Sequence, residues 1–377
     1  MYRVELLDTT LREGEQCYGV FFPFETKVRL AHLLDLAGVD FIEVGHPAVA
    51  PSLRHACAEI AQLGLRAKLI AHARLDRDEM RLVRDLGFRW VGLFSGINAI
   101  SLERYGLSRR SAFERICRSV MFAKEIGLSV RFTCEDASRT DPGDLVDLYG
   151  LLRELGTDRM SYADTVGTDT PERLEKLSQR LGRTVPFGAL HFHFHDDRGT
   201  SFANAKKAIE LGAQCIDASI LGLGERMGIV RLEDMISGGR CGRSGAGAEA
   251  SGANRALKTA KSLVASSIDY RHFGERRFAH KSGIHIHGIL RDVRQYEHAD
   301  PVLLGSQRLI VLSKLIGRSG LRMFLSRHGF SADEAGLDRL LQRIKSEDRL
   351  ELTDPQEITR YFEACPDCRR TAYAASS

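Results

Sequence analysis

Two histidines separated by one residue stand out as groups that could do chemistry. His193 and His195 flank Phe194 at the end of an apolar run, and two aspartates follow. Residues i and i+2 of an extended strand point to the same side, so both imidazoles face one space while Phe194 faces the other. Two converging imidazoles are typical ligands of a divalent metal. A hydrogen-bonded polar layer inside the protein is the alternative that this spacing leaves open.

The segment Asp8–Gln16 concentrates charge directly after a short apolar run. It contains three carboxylates, on Asp8, Glu13 and Glu15, together with the guanidinium of Arg12. One of the carboxylates could complete a metal site of two histidines and one acid. Arg12 has the planar fork that binds a substrate carboxylate through two hydrogen bonds. A salt-bridge cluster within a loop is the competing interpretation.

Three polar residues of the same strand parity end a further apolar run. Arg131, Thr133 and Glu135 alternate with Phe132 and a cysteine, so all three are expected to face inward. A buried guanidinium needs an anionic partner. That partner is either Glu135 or an acidic substrate, and the sequence leaves both open. Thr165 offers a hydroxyl donor at the end of another strand.

These residues belong to a regular alternation of strand-like and helix-like segments in the first 226 residues. Runs rich in β-branched and aromatic residues predict eight strands. They are Val4–Asp8, Asp40–Gly45, Ala67–Ala73, Trp90–Gly96, Ser129–Asp136, Arg159–Thr165, Ala189–Asp197 and Cys215–Gly222. The predicted helices between them include Glu25–Ala37, Ser52–Leu63, Ser111–Ile126, Asp144–Leu155, Pro171–Leu181 and Ser201–Leu211.

Strands joined by helices are parallel, because each helix returns the chain to the same end of the sheet. Eight such units close a (β/α)8 TIM barrel, and a doubly wound open sheet is the alternative. Polar residues at the carboxyl ends of the strands favour the barrel, since barrel enzymes build their active sites on that face. They are Asp8, Glu43, His72, Glu135, Asp164, His193, His195 and Glu225. The predicted fold class is α/β, a TIM barrel with a smaller, mainly helical C-terminal subdomain.

The pattern changes after the eighth strand. We predict a barrel domain over residues 1–235, then a linker and subdomain with the HKSGIH segment over 236–300. A helical C-terminal subdomain is predicted over 301–368 and a frayed tail over 369–377. The Gly- and Ser-rich run 237–253 is expected to be a flexible loop or a weak helix.

Composition is that of an ordinary globular protein. The 377 residues include 43% hydrophobic and 28% charged residues, and 54 basic against 50 acidic residues give a net charge of +4. This near-neutral balance gives no support for nucleic-acid binding. No apolar run reaches the ~18 residues of a membrane span, and the first residues lack a signal-peptide layout, so we expect a cytoplasmic protein without membrane partners. The eight scattered cysteines predict buried thiols in a reducing compartment, and one CxxC, Cys365 to Cys368, is a weak signal for zinc or redox work.

Six segments, in order along the chain, resemble motifs of one enzyme family. They are LDTTLREGEQ (7–16), CEDASR (134–139), YADTVG (162–167), HFHDD (193–197), GLGER (222–226) and HKSGIH (280–285). On these motifs the chain is similar to the acyl-transferring branch of the metal-dependent DRE-TIM family, which holds 2-isopropylmalate, homocitrate and citramalate synthases. The resemblance covers nearly the whole chain and is greatest to the homocitrate synthases.

The resemblance implies a metal-dependent Claisen condensation of acetyl-CoA, as co-substrate, with an acidic 2-oxoacid, best matched by 2-oxoglutarate. It implies that Glu13, His193 and His195 bind a divalent cation (Mg²⁺, Mn²⁺ or Zn²⁺). The residues implied to bind the 2-oxoacid are Arg12, Gln16, His72, Arg131, Thr133 and Thr165. Catalytic roles are implied for Arg12, Glu135, His285 and Tyr296. In the family, the subdomain that carries His285 reaches over a neighbouring subunit's barrel, which implies a homodimer.

Several residues depart from the family pattern. Gly92 stands where lysine-pathway homocitrate synthases have Asp, Thr133 where Ser is usual, and Asp196 where Asn is usual. These departures leave oxaloacetate or phosphonopyruvate as alternative substrates. A lyase of the same family that cleaves an acyl-CoA is a second alternative, with Cys241 as the candidate for its mobile-loop cysteine. A non-enzymatic metal-binding barrel is the third.

Overall fold

Eight parallel strands close into a barrel in the order of the chain. The computed structural model describes residues 3–182, 184–237, 241–243, 248–272 and 274–371, with the backbone alone for 248–250. The barrel strands are β1 Glu5–Asp8, β2 Phe41–Gly45, β3 Lys68–Ala73, β4 Trp90–Gly96, β5 Ser129–Glu135, β6 Arg159–Asp164, β7 Leu190–Phe194 and β8 Cys215–Ala218. Because β1 pairs with both β2 and β8, the predicted TIM barrel is confirmed and the open-sheet alternative is wrong.

The helices that surround the barrel follow the strands in alternation. They are α1 Phe24–Ala37, α2 Pro51–Ala61, α3 Arg77–Asp85, α4 Ala99–Tyr105, α5 Arg109–Glu125, α6 Pro142–Glu154, α7 Pro171–Leu181 and α8 Ser201–Glu210. The apolar faces of these helices and the outward side chains of the strands form one large core, so the helices hold the strands at a fixed tilt and radius. All six helices named from the sequence are present within two residues at each end.

The inside of the barrel is layered from apolar to polar. Leu7, Phe41, Ile70 and Cys215 form a small buried apolar cluster at its lower end. Two residues further along each strand, towards the carboxyl ends, the inward side chains include Glu43 of β2 and His72 of β3. The strand alternation that packs the lower end therefore also aims the polar groups at the mouth.

The remaining described residues form a C-terminal region built mainly of helices, as predicted. Its helices are α9 Leu232–Ser237, α10 Ala248–Ala265, α11 Gly283–Arg291, α12 Arg318–Arg327, α13 Glu334–Ser346 and α14 Pro355–Glu363. Its short strands are β9 Ala279–His280, β10 Leu309–Ile310, β11 Leu312–Ser313, β12 Phe330–Ser331, β13 Glu351–Leu352 and β14 Arg369–Arg370. Side chains from α11 to α14 share a second apolar core, separate from that of the barrel.

Helix α10 packs along α1 and carries the chain back to the barrel mouth. After it, the backbone N–H of Asp269 donates to the carbonyl oxygen of Gly19 at 2.7 Å, and Ile268 forms a bridge with Val20. The Gly- and Ser-rich run 237–253, predicted as a loop or a weak helix, is helical from residue 248 onward. Residues 238–240 and 244–247 of that run lie outside the described residues.

The C-terminal end of the described chain forms a short strand. Strand β14 pairs antiparallel with β12, so the paired chain extends past the predicted tail boundary at residue 369, and residues 372–377 lie outside the description. No disulfide joins the eight cysteines, all of which are described, as the thiol prediction requires. None of the described helices is both long enough and apolar enough to span a membrane.

Candidate active site

Glu13, His193 and His195 converge at the mouth of the barrel. His193 lies in β7, whose alternate side chains face inward while Phe192 and Phe194 pack into the outer core. One possible ligand atom from each of the three residues lies within 4.8 Å of the others, and all three side chains are buried. The residues that the family resemblance grouped as metal ligands are therefore neighbours in space.

The donor atoms of this cluster fit a divalent cation. The buried Nδ1 of His195 has no hydrogen-bond partner among the described residues. Burial, with Arg226 nearby, lowers the pKa of His195 well below its usual value, so its imidazole is neutral and offers a lone pair. Burial alone would raise the pKa of Glu13, but Arg12 and His193 hold that pKa below its usual value, so the carboxylate is charged. Two imidazoles and one carboxylate match a site for a divalent ion with positions left for substrate.

The turn after β1 holds Glu13 in place. The carbonyl oxygen of Thr9 accepts the backbone N–H groups of Arg12, Glu13 and Gly14 at 2.8–3.3 Å. Glu13 Oε1 accepts the backbone N–H of Glu225 at 2.9 Å. The first and the last loops of the barrel are thus tied together at this carboxylate.

Glu43, at the end of β2, links two predicted substrate-binding residues. Its Oε2 accepts hydrogen bonds from Arg12 Nε and Thr9 Oγ1, both at 2.6 Å, and its other oxygen contacts His72. Burial would raise the pKa of Glu43, but Arg12 and His72 hold it well below its usual value. Gly92 leaves the space that the His72 ring occupies, since a Cβ at position 92 would lie 2.7 Å from His72 Cδ2. Glu43 therefore neutralises part of the positive charge at the mouth.

Arg131 is buried and its guanidinium reaches across the barrel. It forms an ion pair with Asp217 of β8 and donates to Ser161 Oγ at 2.9 Å and Thr133 Oγ1 at 3.2 Å. The idea that Glu135 is its anionic partner is wrong. The reason is distance along the strand, because four residues of β5 separate the two Cα atoms by about 13 Å.

Glu135 instead belongs to a group that includes two residues of the C-terminal region. The hydroxyl of Tyr296 donates to Glu135 Oε1 at 2.6 Å, and the ring of His285 stacks on Tyr296 with 3.8 Å between the ring centroids. Arg104 of α4 forms an ion pair with Glu135 and a hydrogen bond with Tyr296. All these contacts occur within one chain. Helix α10 leads the segment that carries His285 and Tyr296 over the barrel of the same chain. The homodimer stays a prediction.

Glu225, in the loop after β8, anchors the segment that carries His285. Its carboxylate accepts the backbone N–H groups of Lys281 at 2.8 Å and Ser282 at 3.2 Å, and it lies 3.4 Å from His285 Nδ1. His285 is in the first turn of α11, directly after these two residues. The anchor therefore sets the position of this histidine over the mouth.

A cavity of about 460 Å³ opens above these groups. The predicted site residues that line it are Arg12, Glu13, Gln16, His72, Arg131, Thr133, Glu135, Thr165, His193, His195 and His285. Tyr296 lies behind the cavity wall and is almost fully buried. Thr165 Oγ1 also accepts the backbone N–H of Asp136 at 2.8 Å, which fixes its side chain at the rim. The metal-ligand candidates and the Glu135–His285 group thus face the same cavity.

Comparison with known protein families identifies this architecture. Residues 3–245 match the model of the HMGL-like family, which is more than half of the chain. The chain belongs to the HMGL-like family. Residues 273–350 of this HMGL-like protein match a second model, described as homocitrate synthase post-HMGL domain-like. The family resemblance drawn from the six motifs is confirmed.

Curated relatives of this HMGL-like chain cover nearly its whole length. A protein named homocitrate synthase from Pyrococcus horikoshii is 38% identical over 349 residues, which are 90% of this chain and 94% of the relative. Another of that name from Saccharolobus islandicus is 36% identical over 357 residues, 92% of this chain and 77% of the relative.

Solved structures of HMG-CoA lyases share the fold. That from Brucella melitensis has a TM-score of 0.60 at 19% identity, covering 71% of this chain and 99% of its own. That from Bacillus subtilis has a TM-score of 0.61 at 20% identity, covering 73% and 98%. At these identities the likeness concerns the barrel architecture alone.

The position of Cys241 argues against its role as a lyase cysteine at this mouth. Cys241 is buried and bridges Val4, just before β1, and the N–H of Gly242 donates to the carbonyl oxygen of Val4 at 3.0 Å. This contact lies at the amino end of β1, whereas Glu13 follows its carboxyl end. The thiol is therefore on the opposite face of the barrel from the cavity.

Arg104 and Asp217 are site residues that the sequence reasoning missed. Arg104 lies in a short helix outside every motif, and nothing in its neighbourhood marks it as buried. Asp217 carried a usable signal, because it is an acid within an apolar strand and shares inward parity with Cys215. Glu43 and Glu225 were noted only as polar strand ends, without a role.

The buried Asp8 predicts an unusual pH dependence of stability. Its carboxylate accepts hydrogen bonds from Thr10, yet burial raises its pKa from 3.8 to about 7. In the unfolded chain this carboxyl group ionises near pH 4 without that burial cost. The contribution of Asp8 to the free energy of unfolding therefore falls as the pH rises from about 4 to 7. In chelator-treated protein, the stability gain of D8N over wild type should be up to about 3 kcal/mol larger at pH 8 than at pH 5.

Urea unfolding of both proteins at the two pH values measures this difference. D78N, which removes an acid whose side chain is 89% exposed, is the control and should show no such trend. A gain for D8N that is the same at both pH values would contradict the assignment.

The ligand cluster predicts the metal binding of two histidine variants. H193A removes one of three protein donors and should weaken Mn²⁺ binding by at least about 100-fold, since disturbing groups around a bound ion already costs 10–100-fold. H72A removes a histidine of the same mouth that contacts Glu43 but lies outside the ligand cluster, and it should bind Mn²⁺ as wild type does. Calorimetric titration of chelator-treated proteins measures both. Equal affinities of H193A and wild type would exclude this cluster as the metal site.

Proposed function

We propose that this protein is a metal-dependent acyltransferase that condenses acetyl-CoA with an acidic 2-oxoacid. The best candidate is 2-oxoglutarate, which gives homocitrate and CoA. The observation that carries the proposal is that one cavity is lined by the metal-ligand candidates, by cationic side chains and by His285. The names of the curated relatives support the same reaction.

The cavity offers positive groups for a substrate with two acid groups. Arg12, beside Glu13, is placed for the 2-oxo end, and Arg131 with His72 for the distal acid. Thr133 and Thr165 add hydroxyl donors. A cation held by Glu13, His193 and His195 would polarise the 2-oxo group as a Lewis acid. Arg12 then faces the negative charge that develops on that oxygen.

Among Glu135, His285 and Tyr296, the best candidate for the general base is His285. Burial would raise the pKa of Glu135, but Arg104 and the Tyr296 hydroxyl hold it below its usual value, so this carboxylate is a poor proton acceptor. Burial raises the pKa of Tyr296 well above its usual value, so its hydroxyl stays protonated and donates to Glu135. His285 lines the cavity with Nδ1 near Glu225, which leaves Nε2 for the substrate.

The proposed reaction balances in two steps. His285 takes a proton from the methyl group of acetyl-CoA, and the resulting carbanion forms a bond to C2 of the 2-oxoacid. The 2-oxo oxygen gains a proton and becomes a hydroxyl group. Water then cleaves the thioester, which releases CoA and a carboxylate and makes the sequence irreversible. No cysteine nucleophile is needed.

The side chain of Thr133 favours a shorter acidic substrate, which is therefore a second candidate. Its side chain lines the cavity beside Arg131, and its methyl group takes up space that a serine would leave free. Oxaloacetate or phosphonopyruvate would then be the 2-oxoacid. A homodimer, which rests on the family resemblance, and a cytoplasmic location, which rests on the sequence pattern, also belong to this proposal.

Release of CoA measures the substrate directly. With Mn²⁺ and acetyl-CoA, we expect rapid thiol release with 2-oxoglutarate and little with pyruvate or 2-oxoisovalerate, because only the acidic 2-oxoacid carries a second anion for Arg131 and His72. Oxaloacetate and phosphonopyruvate complete the panel, and a chelator should stop the reaction. Preference for 2-oxoisovalerate, or full turnover in chelator, would contradict the proposal.

Arg131 should determine selectivity for the second acid group. R131A removes a charged hydrogen bond worth about 1.5–3 kcal/mol, so kcat/KM for 2-oxoglutarate should fall at least about tenfold more than kcat/KM for pyruvate. The ratio of the two constants at saturating metal is the readout, because any disturbance of Asp217 affects both substrates. Equal losses with both substrates would remove Arg131 from this role.

A further inference from the structure

One carboxylate oxygen inside the barrel contacts both a metal-ligand candidate and the specificity arginine. Asp217 Oδ2 lies 3.0 Å from His193 Nδ1 and also pairs with Arg131 Nη2. The side chain is 1% exposed, so water does not screen these contacts. None of the six sequence motifs contains this residue.

On one side, Asp217 determines how His193 can bind a metal. A carboxylate that accepts from Nδ1 fixes the ring orientation and leaves Nε2 as the free nitrogen. The negative charge also makes the imidazole a stronger electron-pair donor to a metal ion. Loss of such a partner typically weakens metal affinity 10–100-fold.

On the other side, Asp217 is the carboxylate nearest to the Arg131 guanidinium. The other groups within hydrogen-bond reach, Ser161, Thr133 and His191 at 2.9–3.4 Å, are neutral or weakly polar. Glu43 is the next carboxylate, at 3.6 Å from Nη1. Asp217 therefore cancels charge that Arg131 would otherwise present to an anion in the cavity.

We propose that Asp217 is a positioning residue that strengthens metal binding through His193 and reduces the attraction of Arg131 for a dianionic substrate. The second half rests on the proposed function, and the first half does not. When the charge of Asp217 is removed, the first half predicts weaker metal binding and the second half predicts tighter binding of the dianionic substrate. A residue that merely holds the fold together would instead weaken both kinds of binding.

D217N keeps the size of the side chain and removes its charge. Mn²⁺ titrated into the chelator-treated full-length chain should bind 10–100-fold more weakly than to wild type. At saturating Mn²⁺, the KM for a dianionic 2-oxoacid should be lower than that of wild type, while the KM for pyruvate stays unchanged. S161A is the matched control, since Ser161 contacts Arg131 but not His193, and its Mn²⁺ affinity should equal that of wild type.

A buried guanidinium without a carboxylate partner can prevent folding, so the pair R131M and R131M/D217N provides a second test. In this background the added D217N change should again weaken Mn²⁺ binding 10–100-fold. Wild-type Mn²⁺ affinity in D217N or in the double variant would overturn the proposal, as would equal losses in D217N and S161A. An unchanged or raised KM for the dianionic substrate in D217N would overturn the second half. The Mn²⁺ titration needs no turnover, so it stands even if the CoA-release panel rejects the proposed reaction.

Discussion

The pairing of buried charges at the barrel mouth is the constraint on which the site depends. Arg131 is buried and Arg12 is largely buried at the cavity wall, and an unpaired buried guanidinium would cost several kcal/mol. Glu43 of β2 meets that cost at Arg12 and Asp217 of β8 meets it at Arg131 from across the barrel, while Glu13 is shared between Arg12 and the candidate metal. Each acid therefore serves a cation and a functional group at once, and the strands must close into a barrel for them to meet.

The sequence was sufficient to predict the barrel because its signal is local and repeated. Strand-like and helix-like segments alternate through the first 226 residues, and inward parity alone predicts that His193 and His195 lie side by side, as they do. Strand ends were less certain, since β7 stops at Phe194 and β8 at Ala218, short of their predicted ends. Past these ends the pairing continues as single bridges, of His195 with Ile229 and of Ser219 with Arg231.

Contacts between distant segments could not be read from the same patterns. The pairing of Arg131 with Asp217 joins residues 86 positions apart, and that of Arg104 with Tyr296 joins residues 192 apart. Parity states only that a side chain faces inward, and several inward acids compete for each arginine. The choice among them depends on reach across the barrel, which explains why Glu135 was a reasonable but wrong partner for Arg131.

The apolar plug of Leu7, Phe41, Ile70 and Cys215 has a consequence for traffic through the protein. It fills the lower end of the barrel, so ligands reach the described site residues through the cavity at the carboxyl ends of the strands, beneath the segment that Glu225 anchors. Under the proposed reaction, the 2-oxoacid would bind deep in the cavity beside Arg131, and the larger acetyl-CoA would bind nearer the opening. Under that reaction, the acid would bind before the thioester, and free CoA would leave before the new acid.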